Sequence, residues 1–215
     1  MRYLTLFLFT LCITFIFSQK NAITDTGDEV ILYEDGTWEY KNNGKGLPPP
    51  DESGVIPTNT NTFEKPESAS FLLKSDRINL GFWLNPKKWT FKKAISNEDA
   101  EYELRYKDGD VYGMIITEQI GMPLSTLKSI ALENGRIVAP DLKIVTEEYR
   151  EVNGNKVLFL QMDGTTQGIK FSFYGYYYSN DEGTVQFVTY TAQNLLQKHK
   201  EACEKLVNGL VVIEN

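Results

Sequence analysis

His199 and Cys203 stand one helical turn apart in a chain that has a single histidine and two cysteines. At spacing i, i+4 the two share a helix face, the geometry for a thiol beside a base or for two ligands of a metal ion. No third ligand accompanies them, and Leu195, Ala202 and Leu206 share their face, so packing predicts a core cysteine beside a boundary histidine. Asp108 and Asp110 around Gly109, and the run Asn180-Asp181-Glu182, offer oxygen atoms to a cation. Neither stretch has the length or periodicity of a calcium loop, and turn chemistry accounts for both. Glu147 and Glu148 fall in a strand pattern that sends adjacent carboxylates to opposite faces, so they form no acid and base couple. No Gly-x-Ser-x-Gly elbow, phosphate loop or dinucleotide fingerprint occurs. The reading is a chain with no catalytic residue, no metal site and no cofactor.

The aromatic residues are the better candidates. In the strand after Gly168, Tyr174, Tyr176 and Tyr178 lie on one side, while Phe171, Phe173, Gly175 and Tyr177 lie on the other. Such a row is either a binding platform, since tyrosine joins apolar contact to a hydroxyl at low entropic cost, or core covered by a helix. Gly175 within it signals a bulge or the close approach of another element. Trp38 and Tyr40 near the N-terminus are either an exposed partner epitope or an anchor for their own short module. Lys87, Lys88, Lys92 and Lys93 interleave with Trp89 and Phe91, which reads as an edge strand guarded by lysines.

Where this chemistry is used follows from the first eighteen residues. Arg2 precedes an unbroken apolar run from Leu4 to Phe17 that gives way to Ser18, Gln19 and Lys20, the pattern of a secretory signal peptide cleaved after Ser18. The run is shorter than the roughly 20 apolar residues a membrane span needs. Leu11 is bulky where a lipid-attachment site before Cys12 requires a small residue. Loss of Arg2 leaves 21 basic residues of the original 22 against 29 acidic ones, a net charge of −8. Periplasmic or secreted location without stable membrane insertion follows, and so acidic a chain does not suit nucleic acid. With Cys12 removed, Cys203 has no partner for an intramolecular disulfide, and stability falls to a packed core rich in Phe, Tyr and Trp.

The elements that position these residues divide the mature chain in three. Residues 19–40 alternate around Thr26-Gly27-Asp28 and Asp35-Gly36 and read as a small β-hairpin or three-strand meander. This stretch resembles a motif of exported bacterial proteins in which Gly-x-x-Val-x-Leu, here Gly27, Val30 and Leu32, precedes Asp35-Gly36-Thr37-Trp38. Residues 41–68, with Pro48-Pro49-Pro50 and Thr58-Asn59-Thr60-Asn61-Thr62, have little to bury and read as a disordered linker. Residues 69–215 carry regular strand patterns joined by hairpin signals at Asp108-Gly109, Asn153-Gly154, Asp163-Gly164 and Asn180 to Gly183. Two helices interrupt them, one from Pro123 with Gly135 as its C-terminal cap, the other from about Ala192 to Asn208 closed by Gly209. The fold class is α+β: a mainly antiparallel twisted sheet with helices on both faces, an α/β/α sandwich, plus the N-terminal hairpin.

The order Phe82-Trp83-Leu84-Asn85-Pro86-Lys87-Lys88-Trp89, a hairpin, a helix, Val152-Asn153-Gly154-Asn155-Lys156-Val157, the strand from Gly168 to Phe173, Gln186 and a last amphipathic helix ending at Gly209-Leu210 resembles the PsbP-like, or Mog-type, domain. The likeness covers about residues 69–213. It implies a non-catalytic adaptor, since family members assist photosystem assembly or bind a small GTPase, partners an exported chain does not meet. The expected function is an exported accessory protein that binds another envelope or secreted protein through Trp38, Tyr40, Tyr174, Tyr176 or Tyr178. The alternatives are a carrier of a hydrophobic ligand or lipid, and an envelope hydrolase with an unrecognised site.

Overall fold

A computed structural model describes residues 20–23, 29–33, 38–40, 56–95 and 99–213. Residues 1–18, read as a signal peptide, most of the stretch read as linker and the side chains of Trp38 and Tyr40 lie outside the described residues. The chain divides into two compact units, Met1–Pro48 and Pro49–Asn215. In the first, β1 (Lys20–Ile23), β2 (Glu29–Leu32) and β3 (Trp38–Tyr40) pair antiparallel in that order.

The second unit is α+β and contains two sheets. The larger has eight strands in the order β4-β10-β11-β12-β13-β9-β8-β7. These are β4 (Thr58–Phe63), β7 (Trp89–Lys93), β8 (Ala100–Tyr106), β9 (Val111–Glu118), β10 (Lys143–Val152), β11 (Asn155–Thr166), β12 (Ile169–Asn180) and β13 (Gly183–Ala192). All neighbours are antiparallel except β4 and β10. The smaller sheet, order β14-β6-β5, joins β5 (Phe71–Lys74) and β6 (Leu80–Leu84) to the C-terminal β14 (Leu210–Val212). Helices α1 (Leu124–Val138) and α2 (Gln193–Val207) complete the unit.

Alternation along the strands sorts the side chains into two cores. Val157 and Phe159 of β11 and Tyr174 and Tyr176 of β12 join a cluster that contains Leu196, Cys203 and Leu206 of α2 and Leu73, Leu80 and Phe82 of the smaller sheet. Leu158, Leu160 and Tyr177 join another that contains Leu127 and Ala131 of α1. We call these sheet surfaces the Phe159 face and the Leu158 face. The buried stripe of α2, Leu196, His199, Cys203, Leu206 and Val207, follows the helical spacing seen in the sequence.

Several expectations need correction. Residues 58–63, read as linker, are strand β4: Tyr149 donates its backbone N–H to Pro57 O at 2.8 Å and Asn153 donates to Phe63 O at 2.9 Å. Asn59 and Phe63 are the residues this edge strand turns inward, so a Thr-Asn repeat suffices because the sheet supplies the rest. Gly135 lies inside α1 rather than capping it, where a side chain would collide with Leu142. Asp163-Gly164 is strand, and the turn comes later at Gln167-Gly168, both with positive φ (51° and 80°). The meander is split by the second sheet, whose strand β14 follows directly on α2. The β11–β12–β13 register runs unbroken through Gly175, so that glycine marks close approach: a Cβ there would lie 2.7 Å from Phe187 O.

The tyrosine platform is also corrected. Tyr174 and Tyr176 are fully buried, and Tyr178 packs half-buried at the margin of the same cluster, so the row belongs to the core rather than to a partner surface. The hydroxyls of Tyr174 and Tyr176 are satisfied around Arg150, which is only 8% exposed. Its Nε donates to Glu148 Oε1 at 2.6 Å, and its Nη1 donates to Tyr176 OH at 3.1 Å, Glu204 Oε1 at 3.2 Å and Tyr174 OH at 3.3 Å. Tyr174 OH in turn donates to Glu204 and Tyr176 OH to Asn208 Oδ1, at 3.0 and 2.7 Å. The guanidinium carbon lies 3.8 Å from the ring centre of Phe159 and 4.5 Å from that of Phe63. One buried cation thereby ties β4, β10, β11, β12 and α2 together.

Two measurements follow. Arg150→Ala leaves Glu148 and Glu204 without their cation and is expected to destabilise the fold by about 3–5 kcal/mol, with Arg150→Lys, which keeps charge but not the fork, between it and wild type. Urea unfolding of the mature protein checks this, and a loss under about 1 kcal/mol for the alanine variant contradicts it, being the size of an exposed pair. Burial raises the pKa of Tyr174, Tyr176 and Tyr177 above the ordinary 10.0, that of Tyr176 to about 12. Above pH 10 the unfolded chain releases these protons while the folded chain keeps them, so the stabilisation is complete below pH 10 and is lost as pH rises towards the folded values. Stability is expected to fall by roughly 1.4 kcal/mol per pH unit for each of the three hydroxyls, and Tyr176→Phe should remove one share of the slope. A flat stability profile across that window contradicts the burial of these groups.

Candidate functional site

The histidine and cysteine separate on folding. Cys203 is fully buried against Thr189, and burial raises its thiol pKa. His199 lines a cleft of ≈ 290 Å³ between α2 and the β6–β7 turn, with Asn85, Lys88, Trp89, Tyr106 and Lys198. Its ring lies 6.0 Å from that of Tyr106, edge to face. Ser68 and Glu201 also line the cleft, and among the described residues no hydrogen bond is formed between the imidazole and a carboxylate. Among the described residues no group of three or more His, Cys, Asp or Glu side chains could hold a metal ion.

The carboxylates are equally engaged in structure. Glu147 pairs with Lys128 of α1 at 2.9 Å while Glu148 pairs with Arg150, as expected of neighbours on opposite faces. Asn180 Oδ1 accepts from the backbone N–H groups of Glu182 and Gly183 at 3.0 and 3.1 Å, an Asx turn rather than a ligand set. Glu101 is buried at a register shift between β8 and β9. It accepts from Ser75 Oγ at 2.7 Å and from Thr117 Oγ1, which fixes the β5–β6 turn to the larger sheet. Of the four lysines, Lys92 and Lys93 sit on the edge strand β7 and pair with Glu103 and Asp76, while Lys87 and Lys88 lie in the turn before it, Lys88 paired with Asp108.

What remains is a surface the sequence reading missed. Eight strands spaced at about 4.8 Å make a sheet about 38 Å across, and one helix with its side chains is about 10–12 Å wide. The Phe159 face receives α2 and the smaller sheet, whereas on the Leu158 face α1 lies in a cluster with Ala139 and Leu142 that reaches from β10 to Met114 of β9 and, among the described residues, contains none of β7 or β8. The consequence is visible in β9, where Val111, Gly113, Ile115 and Thr117 are buried and the intervening Tyr112, Met114 and Ile116 are half-buried. On β7 and β8 the same face leaves Thr90, Lys92 and Arg105 exposed.

Cross-strand register lines these residues up. Thr90 pairs with Arg105, Arg105 with Tyr112, Tyr112 with Tyr190, and Tyr190 with Phe173. The rings of Tyr112 and Tyr190 stack at 5.6 Å with 22° between planes, the guanidinium carbon of Arg105 lies 5.9 Å from the Tyr112 ring centre, and Phe173 lies 6.1 Å from Tyr190. Beside this ridge runs a trough of ≈ 390 Å³, with Leu104 and Gly113 among its lining residues, bounded by Lys92, Glu103 and Arg105. Burial raises the Tyr190 pKa, with Glu103 adding to it. Tyr112 and Tyr190 sit in alternating strand patterns like many others, and only register makes them neighbours.

No protein-family model matches the sequence, and no curated protein matches it. Solved structures do. The solution structure of cyanobacterial PsbP (CyanoP) from Synechocystis sp. PCC 6803 superposes with a TM-score of 0.51 at 10% identity, over 68% of this chain and 94% of that one. LpqN, involved in cell envelope biogenesis of Mycobacterium tuberculosis, gives 0.44 at 8% identity over 67% and 90%, and a Pseudomonas aeruginosa protein of unknown function gives 0.44 at 13% over 67% and 98%. At 10% identity the likeness to CyanoP concerns architecture alone, and it supports the sequence resemblance: this chain has a PsbP-like fold.

Proposed function

We propose that the chain is an exported, non-catalytic accessory protein of the bacterial envelope, periplasmic or secreted, that works by binding another envelope or secreted protein. Its main unit is read as an α/β/α sandwich with α1 and α2 on opposite faces of the large sheet, preceded by the small N-terminal β-hairpin. The observation that carries the reading is the half-open strip of the Leu158 face, where Arg105, Tyr112 and Tyr190 are ordered against one another at the edge of the α1 cluster, with Phe173 joining the two, and among the described residues no helix packs over Arg105. Tyrosine and arginine dominate binding energy at protein interfaces, and rings already held by their neighbours lose little freedom when a partner arrives. The apolar run of residues 4–17 supports export, and no helix among the described residues is long and apolar enough to cross a membrane. The titratable groups nearest to a catalytic arrangement, His199, Cys203, Glu101 and Glu148, are engaged in packing or in structural hydrogen bonds, which supports a binding role over a hydrolytic one.

A photo-cross-linking amino acid at Met114, introduced into the full chain in its native host, is expected to form an adduct with a second protein. The joint change Tyr112→Ser and Tyr190→Ser should abolish that adduct while leaving the unfolding midpoint within a few degrees of wild type. Cross-linking from the α2 cleft beside Lys198 but not from Met114 contradicts the assignment.

A further inference from the structure

The strip of the Leu158 face carries a cation, Arg105, for which no ion pair is formed among the described residues. Lys92 and Lys93 of the adjoining edge strand are paired with Glu103 and Asp76, whereas the side chain of Arg105, exposed on β8, has only the Tyr112 ring as a partner among the described residues. A guanidinium presents a planar fork of donors that matches a carboxylate, and a site in which one is oriented but unpaired favours an anion that arrives with an apolar neighbour. The ring faces of Tyr112 and Tyr190 are taken up by each other at 22°, so they form a wall rather than a stacking platform for a flat ligand such as a sugar or base. The trough beside them, with Leu104 and Gly113 in its lining, is open to side chains of an incoming segment.

We propose that this strip docks a protein segment that sets an Asp or Glu side chain against Arg105 and an apolar side chain in the trough beside Tyr112. The inference rests on the protein-binding reading above and adds the chemistry of the partner. An acidic protein of net charge −8 after loss of Arg2 repels acidic segments in general, so recognition of one here depends on this local cation. The charge also sets selectivity, since a basic segment would meet Arg105 unpaired and desolvated.

The test uses the immobilised mature protein and a phage library of random dodecapeptides, followed by fluorescence anisotropy with the enriched peptides made synthetically. Enriched sequences are expected to share an acidic residue next to an aromatic or aliphatic one. Their affinity should drop at least tenfold for Arg105→Gln, drop similarly when the peptide acid becomes Asn or Gln, and recover when Arg105→Glu meets a peptide carrying Lys in its place. Because Arg105 is exposed, its variants should keep the wild-type melting temperature. Enriched peptides without an acid, or acidic peptides indifferent to Arg105→Gln, overturn the inference. A Met114 cross-link that Tyr112→Ser and Tyr190→Ser abolish but Arg105→Gln leaves unchanged removes this inference and leaves the protein-binding reading standing. Loss of that cross-link altogether, with peptides still selected through Arg105, does the reverse.

Discussion

A single arginine inside the sheet constrains most of the main unit. Arg150 projects into the Phe159 face, between the rings of Phe63 and Phe159, where it is only 8% exposed. Burying a guanidinium is tolerated only when carboxylates and hydroxyls are delivered to its fork, and these come from Glu148 on its own strand, Tyr174 and Tyr176 two strands away, and Glu204 on α2. Each supplier is fixed in turn: Asn59 of β4 donates to Glu148 at 3.0 Å, and Asn208 accepts from Tyr176. The C-terminal turn of α2, the edge strand β4 and the middle of the sheet are therefore set by one electrostatic requirement. Asn153 extends it, donating to the carbonyl oxygens of Asn208 and Leu210 and accepting the backbone N–H of Lys65.

That requirement also explains where function is not. A row of tyrosines on one strand looks like a platform, but the hydroxyls of Tyr174 and Tyr176 are consumed by the arginine and by α2, and their rings by the core. The Phe159 face is filled by a helix and a second sheet, and its His199 and Cys203 take different environments although they occupy one helical stripe. The Leu158 face has a different problem. One helix cannot cover eight strands, and the strip beyond it is made tolerable by arranging its large side chains against each other, Arg105 over Tyr112 and Tyr112 against Tyr190. A surface kept ordered without being covered is the physical basis of the binding role proposed here.

Much of this was legible along the chain because it depends on local periodicity. The stripes of both helices, the hairpin turn at Asn153-Gly154, the lysine-guarded edge of β7 and the separation of Glu147 from Glu148 all follow from spacings of two or of three and four residues. The errors have a common cause as well. Strand β4 was hidden because a Thr-Asn repeat acquires its strand conformation from β10, which accepts it as a parallel edge. Gly135 and Asp163-Gly164 carry turn residues for a reason that is tertiary: the helix and the strand must make room for Leu142.

By itself the sequence determined that the chain would fold around aromatic residues as an α+β unit, and that Cys203 and the one imidazole would lie on a helix face dominated by leucine. These are consequences of composition and of short-range periodicity, which the backbone geometry converts directly into faces. Only the tertiary structure decided which tyrosines are interior and which form a ridge. That choice depends on strand register and on how far a single helix extends over a broad sheet, and both are relations between residues separated by tens of positions in the chain.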